Sequence, residues 1–476
     1  MHKLRPNWLW TLALGAVLGV TLAGCSSGHG GGSFGGAVTT PGTPVNLLMT
    51  DTPPTGVTPL SFEVTLSSAK LEPGDVSLLT GPATAEISRL QTETISLSTT
   101  SVVPASFTSL VLTFLNPTLT FENNTGATIT VGGIACTTGS VCTVSPTATN
   151  QTTTLTLPSL FAISATSPQA LLVDLNLANL FSSALAADFT AGSSVTVLAP
   201  SSPGLPLTSV EDFVGEVQSE STANSTITLG NSLSSLVATV NSSTVYHDFP
   251  TATCATPSFA CLADNQILSA DLSVAANGTL VAENLWFKDA DSSDIEVEGV
   301  ITSIDIATQQ FDYVALIESS PVLNLSIGSV ATVHWNVAPV TTTFAIDDMG
   351  VDTTGQLFAI PADLMVGQEV SVRRNPTSAG TSLNADRILL RGSRITATVT
   401  GPIAYPLMTI GDLPSFFGAA GTSQIIVSVS TTGATEYAPT PTVFTTIPLN
   451  GSVSVRGQLF PNAGTPTLLA SKIVLN

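Results

Sequence analysis

Five cysteines are the residues of this chain whose type and spacing point most directly to chemistry. Cys25 stands alone behind Leu22, Ala23 and Gly24, where an apolar run gives way to a glycine-rich stretch. The other four form two close pairs, Cys136/Cys142 in "CTTGSVC" and Cys254/Cys261 in "CATPSFAC". Each pair encloses a short loop holding glycine or proline, the form of a clipped turn or hairpin end. A disulfide closing about seven residues contributes about 2 kcal/mol in the chain-entropy model. Zinc more often takes C-x₂₋₄-C spacing with further Cys or His close by, so disulfides and an oxidising compartment are expected instead.

Other chemistry is sparse. "DADSSDIE" (289–296) concentrates Asp289, Asp291, Asp294 and Glu296, and oxygen-rich loops of this kind can hold Ca²⁺. The glycine that allows the sharp turn of an EF-hand loop is missing, since Asp294 stands there, so a solvated acidic linker and no bound metal are expected. "YHDF" (246–249) sets His247 beside Asp248, but neighbours on a strand point to opposite faces and cannot form an orienting pair. Trp286 and Trp335 are the tryptophans that could stack on a sugar, although a Trp within an apolar strand such as "VHWNV" is ordinarily core. No G-x-S-x-G elbow between a strand and a helix, H-E-x-x-H, P-loop or G-x-G-x-x-G before a helix is present. Neither an enzyme nor a cofactor is expected.

The elements around these residues explain their setting. Lys3 and Arg5 precede "WLWTLALGAVLGVT" (8–21), an apolar run short of the roughly 20 residues a membrane span needs. That is the form of an export leader over residues 1–24. "LAGC", formed by Leu22, Ala23, Gly24 and Cys25, resembles the lipobox of bacterial lipoproteins. The resemblance implies a Cys25 thiol alkylated by diacylglycerol and exposed as the new N-terminus, anchoring the chain to a membrane. Ser26 in the next position would then suggest the outer membrane of a two-membrane bacterium. Residues 25–44 read as the lipidated cysteine and a flexible tether, with His29 incidental.

Charged residues make up only 9% of the chain, so Ser, Thr, Asn and Gly must supply the surface polarity. Loss of Lys3 and Arg5 with the leader takes the formal charge from −21 to about −23. Such a surface repels phosphate backbones, and no nucleic-acid partner is expected.

Strand patterns dominate the remainder. "SFEVTLS" (61–67) alternates Phe62, Val64 and Leu66 with Glu63 and Thr65, and "SLVLTF" (109–114), "TLTFE" (118–122), "TTLTL" (153–157) and "LLVDLNL" (171–177) share its period of two. "LANLFSSALAADF" (177–189) predicts one helix, with Leu177, Leu180, Phe181, Ala184 and Leu185 on one face. Asp51, ahead of a Pro-rich corner, is expected to cap that turn.

Beyond residue 209 the chain repeats itself. Gly-x-Val/Ile openings occur at Gly215, Gly299 and Gly401. Gly-Thr turns leading into Ala-x-x-Leu/Ile strands occur at Gly278/Ala282/Leu285, Gly380/Ala385/Ile388 and Gly464/Ala470/Ile473. "VGQEVSV" (366–372) matches "LNGSVSV" (449–455), and Asn265 takes the glycine's place in the first copy. The third copy carries an insertion, "GDLPSFFGAAG" (411–421).

"VNLLMTDTPP" (45–54), "FEVTLSSAKLEP" (62–73) and "SVVPASFTSLVLTFLNPTLTF" (101–121) resemble the bacterial domain of unknown function 4382, and the repeats resemble the small all-β domain of unknown function 5666. The first resemblance implies a secreted β-sandwich, the second compact barrels of five to six strands. The expected fold is all-β: a sandwich over 45–209 with one short helix, followed by three small tandem β-barrel-like domains over 210–294, 295–393 and 394–476. The expected function is a non-catalytic binding or structural role at the cell envelope, toward an unknown envelope protein or polysaccharide. A Ca²⁺-dependent adhesion or glycan-binding surface protein is the alternative.

Overall fold

The structure, a computed structural model, describes residues 42–476 apart from 53–58, 124–125, 147–149, 166–168, 183, 199–208, 232–234, 276, 289–295, 319–325, 348–350, 375–381, 439–441 and 463. The leader, the lipobox with Cys25, and His29 lie outside the described residues.

The N-terminal part is a sandwich of two sheets. The first, four-stranded sheet centres on Thr43–Thr52, which pairs parallel with Gln169–Asn176 and antiparallel with Ile95–Val102. The second, six-stranded sheet is built on Pro59–Glu72 and Ser106–Glu122. Alternation is obeyed to the residue: Phe62, Val64 and Leu66 are buried among Leu47, Met49 and Leu112, while Glu63 and Thr65 are half-buried. "SLVLTF" and "TLTFE" turn out to be one strand. Asn116 adopts a left-handed conformation (φ 45°) and with Pro117 forms a bulge that bends Ser106–Glu122 without ending it.

The predicted helix is much shorter than its apolar pattern, spanning only Leu177–Leu180. Asn176 caps its start, accepting from the Asn179 N–H at 3.1 Å. The Ser182 hydroxyl then accepts from the Ala184 and Ala186 N–H groups, replacing helical hydrogen bonds by a side-chain turn. Phe181 reaches the core regardless, edge-on to Phe62 with centroids 5.0 Å apart.

Three closed five-stranded barrels follow in tandem, each with a short extra strand. In the first, Ser209–Ser221 opens the barrel and Leu280–Lys288 closes it against Ser235–Thr239. The corresponding opening and closing strands are Glu296–Asp305 and Ser382–Leu390 in the second, Ser393–Val399 and Thr467–Leu475 in the third. Equivalent backbone hydrogen bonds fix the repeat register: Val217 to Gln266, Ile301 to Gln368, Val399 to Gly451. Asn265, Gly367 and Asn450 are then equivalent, with φ of 69°, 86° and 64°, so Asn265 does occupy the glycine's place. Gly401 does not match Gly215 and Gly299. It lies past the end of its opening strand, and Ala397 holds their position.

A buried threonine recurs in each barrel. The hydroxyls of Thr244, Thr342 and Thr435 donate to the carbonyls of Ala282, Ala385 and Ala470 at 2.7, 2.7 and 2.8 Å. They also accept from the N–H groups of Asn241, Asn336 and Ser430, tying the loop before the extra strand to the closing strand.

The barrels fold back onto the sandwich, and residues 41–476 form one compact unit. Leu48, Ala170 and Leu172, on the outer face of the four-stranded sheet, share a core with Leu236 and Leu280 of the first barrel. There Gly278 (φ 81°) lies so close to the Gln169–Ala170 backbone that a Cβ would overlap it, and its carbonyl accepts from Asn46 Nδ2 at 2.6 Å. On the outer face of the six-stranded sheet, Thr120 Oγ1 donates to the Gly328 carbonyl of the second barrel at 2.6 Å. The insertion of the third barrel forms a short helix, Ser415–Ala419. Its Phe416 and Phe417 pack among Leu60 of the sandwich and Val366 of the second barrel.

Thr342→Val keeps the shape but strands the Ala385 carbonyl and the Asn336 N–H. We expect a loss of about 1–3 kcal/mol in urea unfolding, with Thr342→Ser retaining most of the stability.

Candidate functional site

The chain elsewhere avoids charge, yet it buries a group of ions where the sandwich meets the barrels. The starting point is the segment 88–94, "SRLQTET", which begins as a 3₁₀ turn over Ser88–Gln91. Glu86 holds that turn: its carboxylate accepts from the N–H groups of Phe62 (2.6 Å), Ser88 (3.3 Å) and Arg89 (3.2 Å) and from the Ser88 hydroxyl. Thr50 Oγ1 lies 3.2 and 3.3 Å from the Leu90 and Glu93 carbonyls, fixing the segment to the first strand of the sandwich.

So held, the segment meets the opening strand of every barrel. Thr94 bridges to Val210 of the first, and its N–H donates to the Ser209 carbonyl at 3.1 Å. Arg89 Nη2 lies 3.2 Å from Glu298 Oε1 of the second, and its Nε lies 3.7 Å from Glu369 Oε1. Gln91 bonds Thr396 and Glu93 pairs with Arg394, both in the third. Arg394 Nη1 also reaches Glu369 Oε2 at 2.6 Å, while Arg391 binds Glu298 at 3.4 Å and pairs with Asp347. Arg456 is half-buried alongside, near Glu93. At the edge of the group, Lys472 Nζ of the third barrel donates to Ser209 Oγ at 2.7 Å.

These charges are not equivalent. Burial opposes ionisation of Glu298, but Arg391 and Arg89 outweigh it and hold its carboxyl well below the usual range. Glu93 is likewise lowered: burial is overcome by Arg394 and Arg89. Glu369 moves the other way, pushed up to about 8 by burial against the pull of Arg394 and Arg89, with Glu298 beside it adding to the rise. Their surroundings push the two carboxyls in opposite directions, Glu298 toward its anion and Glu369 toward its acid form. What the arrangement does is lock elements far apart in sequence.

The sequence-predicted residues fall as follows. Cys136–Cys142 and Cys254–Cys261 are disulfides with Cα separations of 6.0 and 5.6 Å. Of the acidic linker, Asp289, Asp291 and Asp294 lie outside the described residues. Glu296 is engaged, paired with Arg387 and accepting from Ser371 Oγ at 3.1 Å. Among the described residues no group of three His, Cys, Asp or Glu could hold a metal ion. Trp335 is core, 2% exposed against Phe311, so it has no face to offer a sugar. His247 meets Asn284 Oδ1 at 3.2 Å, its ring stacked on half-buried Trp286. Asp51 is expected to cap a Pro-rich corner, 53–58, that lies outside the described residues. It is buried in the strand Thr43–Thr52 with neither oxygen in a well-formed hydrogen bond, and the Leu177 N–H is the group that favours its anion.

No known protein family matches the sequence of this chain. No curated protein matches it either. Among solved structures, one described as "drosophila Unr CSD456" is similar over 56% of this chain and 95% of its own, at 11% identity and a TM-score of 0.13. A second, a multidomain protein with nucleic acid binding domains from Streptococcus pneumoniae, is similar over 54% and 72%, at 9% identity and a TM-score of 0.12. Neither score is high enough to bear on fold or function.

Two expectations follow. Arg89→Met leaves three glutamates around an apolar stub and should cost about 3–5 kcal/mol in chemical unfolding; a loss below 1 kcal/mol would mean that the cluster holds nothing. Asp51 is raised well above the usual range by burial, then by Asp174 and Glu86. The native state therefore keeps a proton that the unfolded chain releases above about pH 4, and stability contributed by this group falls as pH rises from there. Asp51→Asn should flatten that fall and be at least as stable as the parent at pH 7 in urea unfolding across pH 4–8.

Proposed function

We propose that this chain is a lipid-anchored protein of the bacterial cell envelope with a non-catalytic binding or structural role. The observation that carries the reading is the division of its cysteines. Four close two short disulfide loops in the folded body, and the fifth, Cys25, stands in "LAGC" directly behind an export-type leader. Disulfides of this kind persist in oxidising compartments outside the cytosol. Acyl chains on Cys25, at about 0.8 kcal/mol per buried CH₂, would hold the body at a membrane. No helix among the described residues is long and apolar enough to cross one.

A binding or structural role fits what the fold invests in. Its buried ions tie β-domains into one unit, and its surface draws polarity from Ser and Thr with a strongly negative net charge. That charge supports neutral or cationic partners over phosphate polymers.

The test is metabolic labelling of the full chain with an alkyne palmitate in a lipoprotein-processing bacterium, followed by mass spectrometry. We expect acylated Cys25 as the mature N-terminus, and no label in Cys25→Ser. Unlabelled wild-type protein, or retention in the cytosol with four reduced thiols, would refute the reading.

A further inference from the structure

The three barrels present the same outer face, built on the extra strand, the closing strand and its antiparallel partner, and they use it differently. At one position the cross-strand pairs are Asp271–Asn284, Arg373–Arg387 and Arg456–Lys472. One step along are Ser269–Trp286, Ser371–Leu389 and Ser454–Val474. The serine is buried in all three barrels, but in the third Lys472, at 4% exposure, is buried too and bonded to Ser209 of the first barrel, whereas Asn284 and Arg387 at its position are half-buried. In the second barrel the face carries a ladder of ion pairs, Arg373 with Asp386 and Arg387 with Glu296. In the first barrel the arginines are replaced by an aspartate and an amide, and an indole stands in the neighbouring row.

We infer that this face of the first barrel docks a neutral polysaccharide, with Trp286 as its apolar platform. His247, beside Trp286 in the register, stacks on the indole with centroids 4.7 Å apart and an interplanar angle of 12°. His247 Nε2 meets Asn284 Oδ1 at 3.2 Å, and Asn284 Nδ2 reaches Asp271 Oδ2 at 3.4 Å. Val245 and Val214, 49% and 39% exposed, flank the patch on the adjoining strands. A pyranose has the complementary surface: a face of C–H groups for an aromatic and a rim of hydroxyls for planar amide, imidazole and carboxylate groups. The linked side chains are oriented before any ligand arrives, which lowers the ordering cost of binding. Asp271, Glu216 and Glu283 around the patch disfavour acidic sugars and phosphates, which leaves a glycan without anionic groups.

This rests on the binding role proposed above but not on the anchor, and lipid at Cys25 is read by a separate measurement. The test titrates the purified full chain with cellohexaose, laminarihexaose, maltohexaose and mannohexaose, and with polygalacturonate as the anionic control, by calorimetry. We expect at least one neutral hexaose to bind with a submillimolar Kd. Trp286→Ala should weaken it at least tenfold and Asn284→Ala several-fold, while Trp335→Phe leaves it unchanged. Should Trp286→Ala melt early, Trp286→Phe and His247→Ala, checked by circular dichroism, serve in its place. Absence of binding to all four neutral hexaoses, binding of polygalacturonate alone, or equal binding by the Trp286 variant would overturn the inference.

Discussion

Arg89, Arg391, Arg394 and Arg456 come together with Glu93, Glu298, Glu369 and Asp347 at the point where the sandwich meets its second and third barrels. Ions taken out of water repay their desolvation only when geometry and hydrogen bonding are good, and a well-packed apolar replacement is often as stable. What such a group supplies that leucines would not is direction. Arg394 must face both Glu93 and Glu369, and Arg89 must face both Glu298 and Glu369, so the sandwich and two barrels have one mutual arrangement that leaves no charge stranded.

Apolar packing adds to this without itself being selective. The first barrel lies on the outer face of one sheet through Leu48 and Leu172, and Gly278 lets the two backbones touch. The second lies on the outer face of the other sheet through Gly328 and Thr120, and Phe417 of the third is wedged beside it. Repeated small β-domains could equally well hang from one another like beads. Here each opening strand returns to the same short peptide, 88–94, which Glu86 and Thr50 hold rigid within the sandwich. The unit that any partner meets is therefore the assembled body.

Much of this was legible in the sequence. Period-two strands, the disulfide loops, the barrel repeats and the Asn265/Gly367/Asn450 turn are all local patterns, readable without knowing the long-range pairing of the strands. Where local chemistry offered two answers, the sequence misled: Ser182 closes a turn inside an apolar stripe of helical period, and Asn116-Pro117 bends a strand it was expected to end. Gly401 imitated a repeat position that Ala397 fills. The ionic group was not read at all, because its members are scattered from residue 89 to residue 456. One hint existed. A chain with 12 basic residues places Arg391 and Arg394 three apart in "LLRGSRIT" and Arg89 near Glu86 and Glu93 in "EISRLQTE", an expense of charge that solubility does not require. Similarly, Trp286 and His247 lie 39 positions apart, and only the parallel pairing of the extra strand with the closing strand puts them side by side.

The account stands on Glu93 and Arg394 acting together across the boundary between the sandwich and the third barrel. A double-mutant cycle with Glu93→Met and Arg394→Met, followed by circular dichroism in chemical denaturant, measures that linkage. The account predicts that the double variant loses about 2–3 kcal/mol less than the two single losses combined. Additivity within about 0.5 kcal/mol would contradict it, leaving the barrels attached by apolar contact alone.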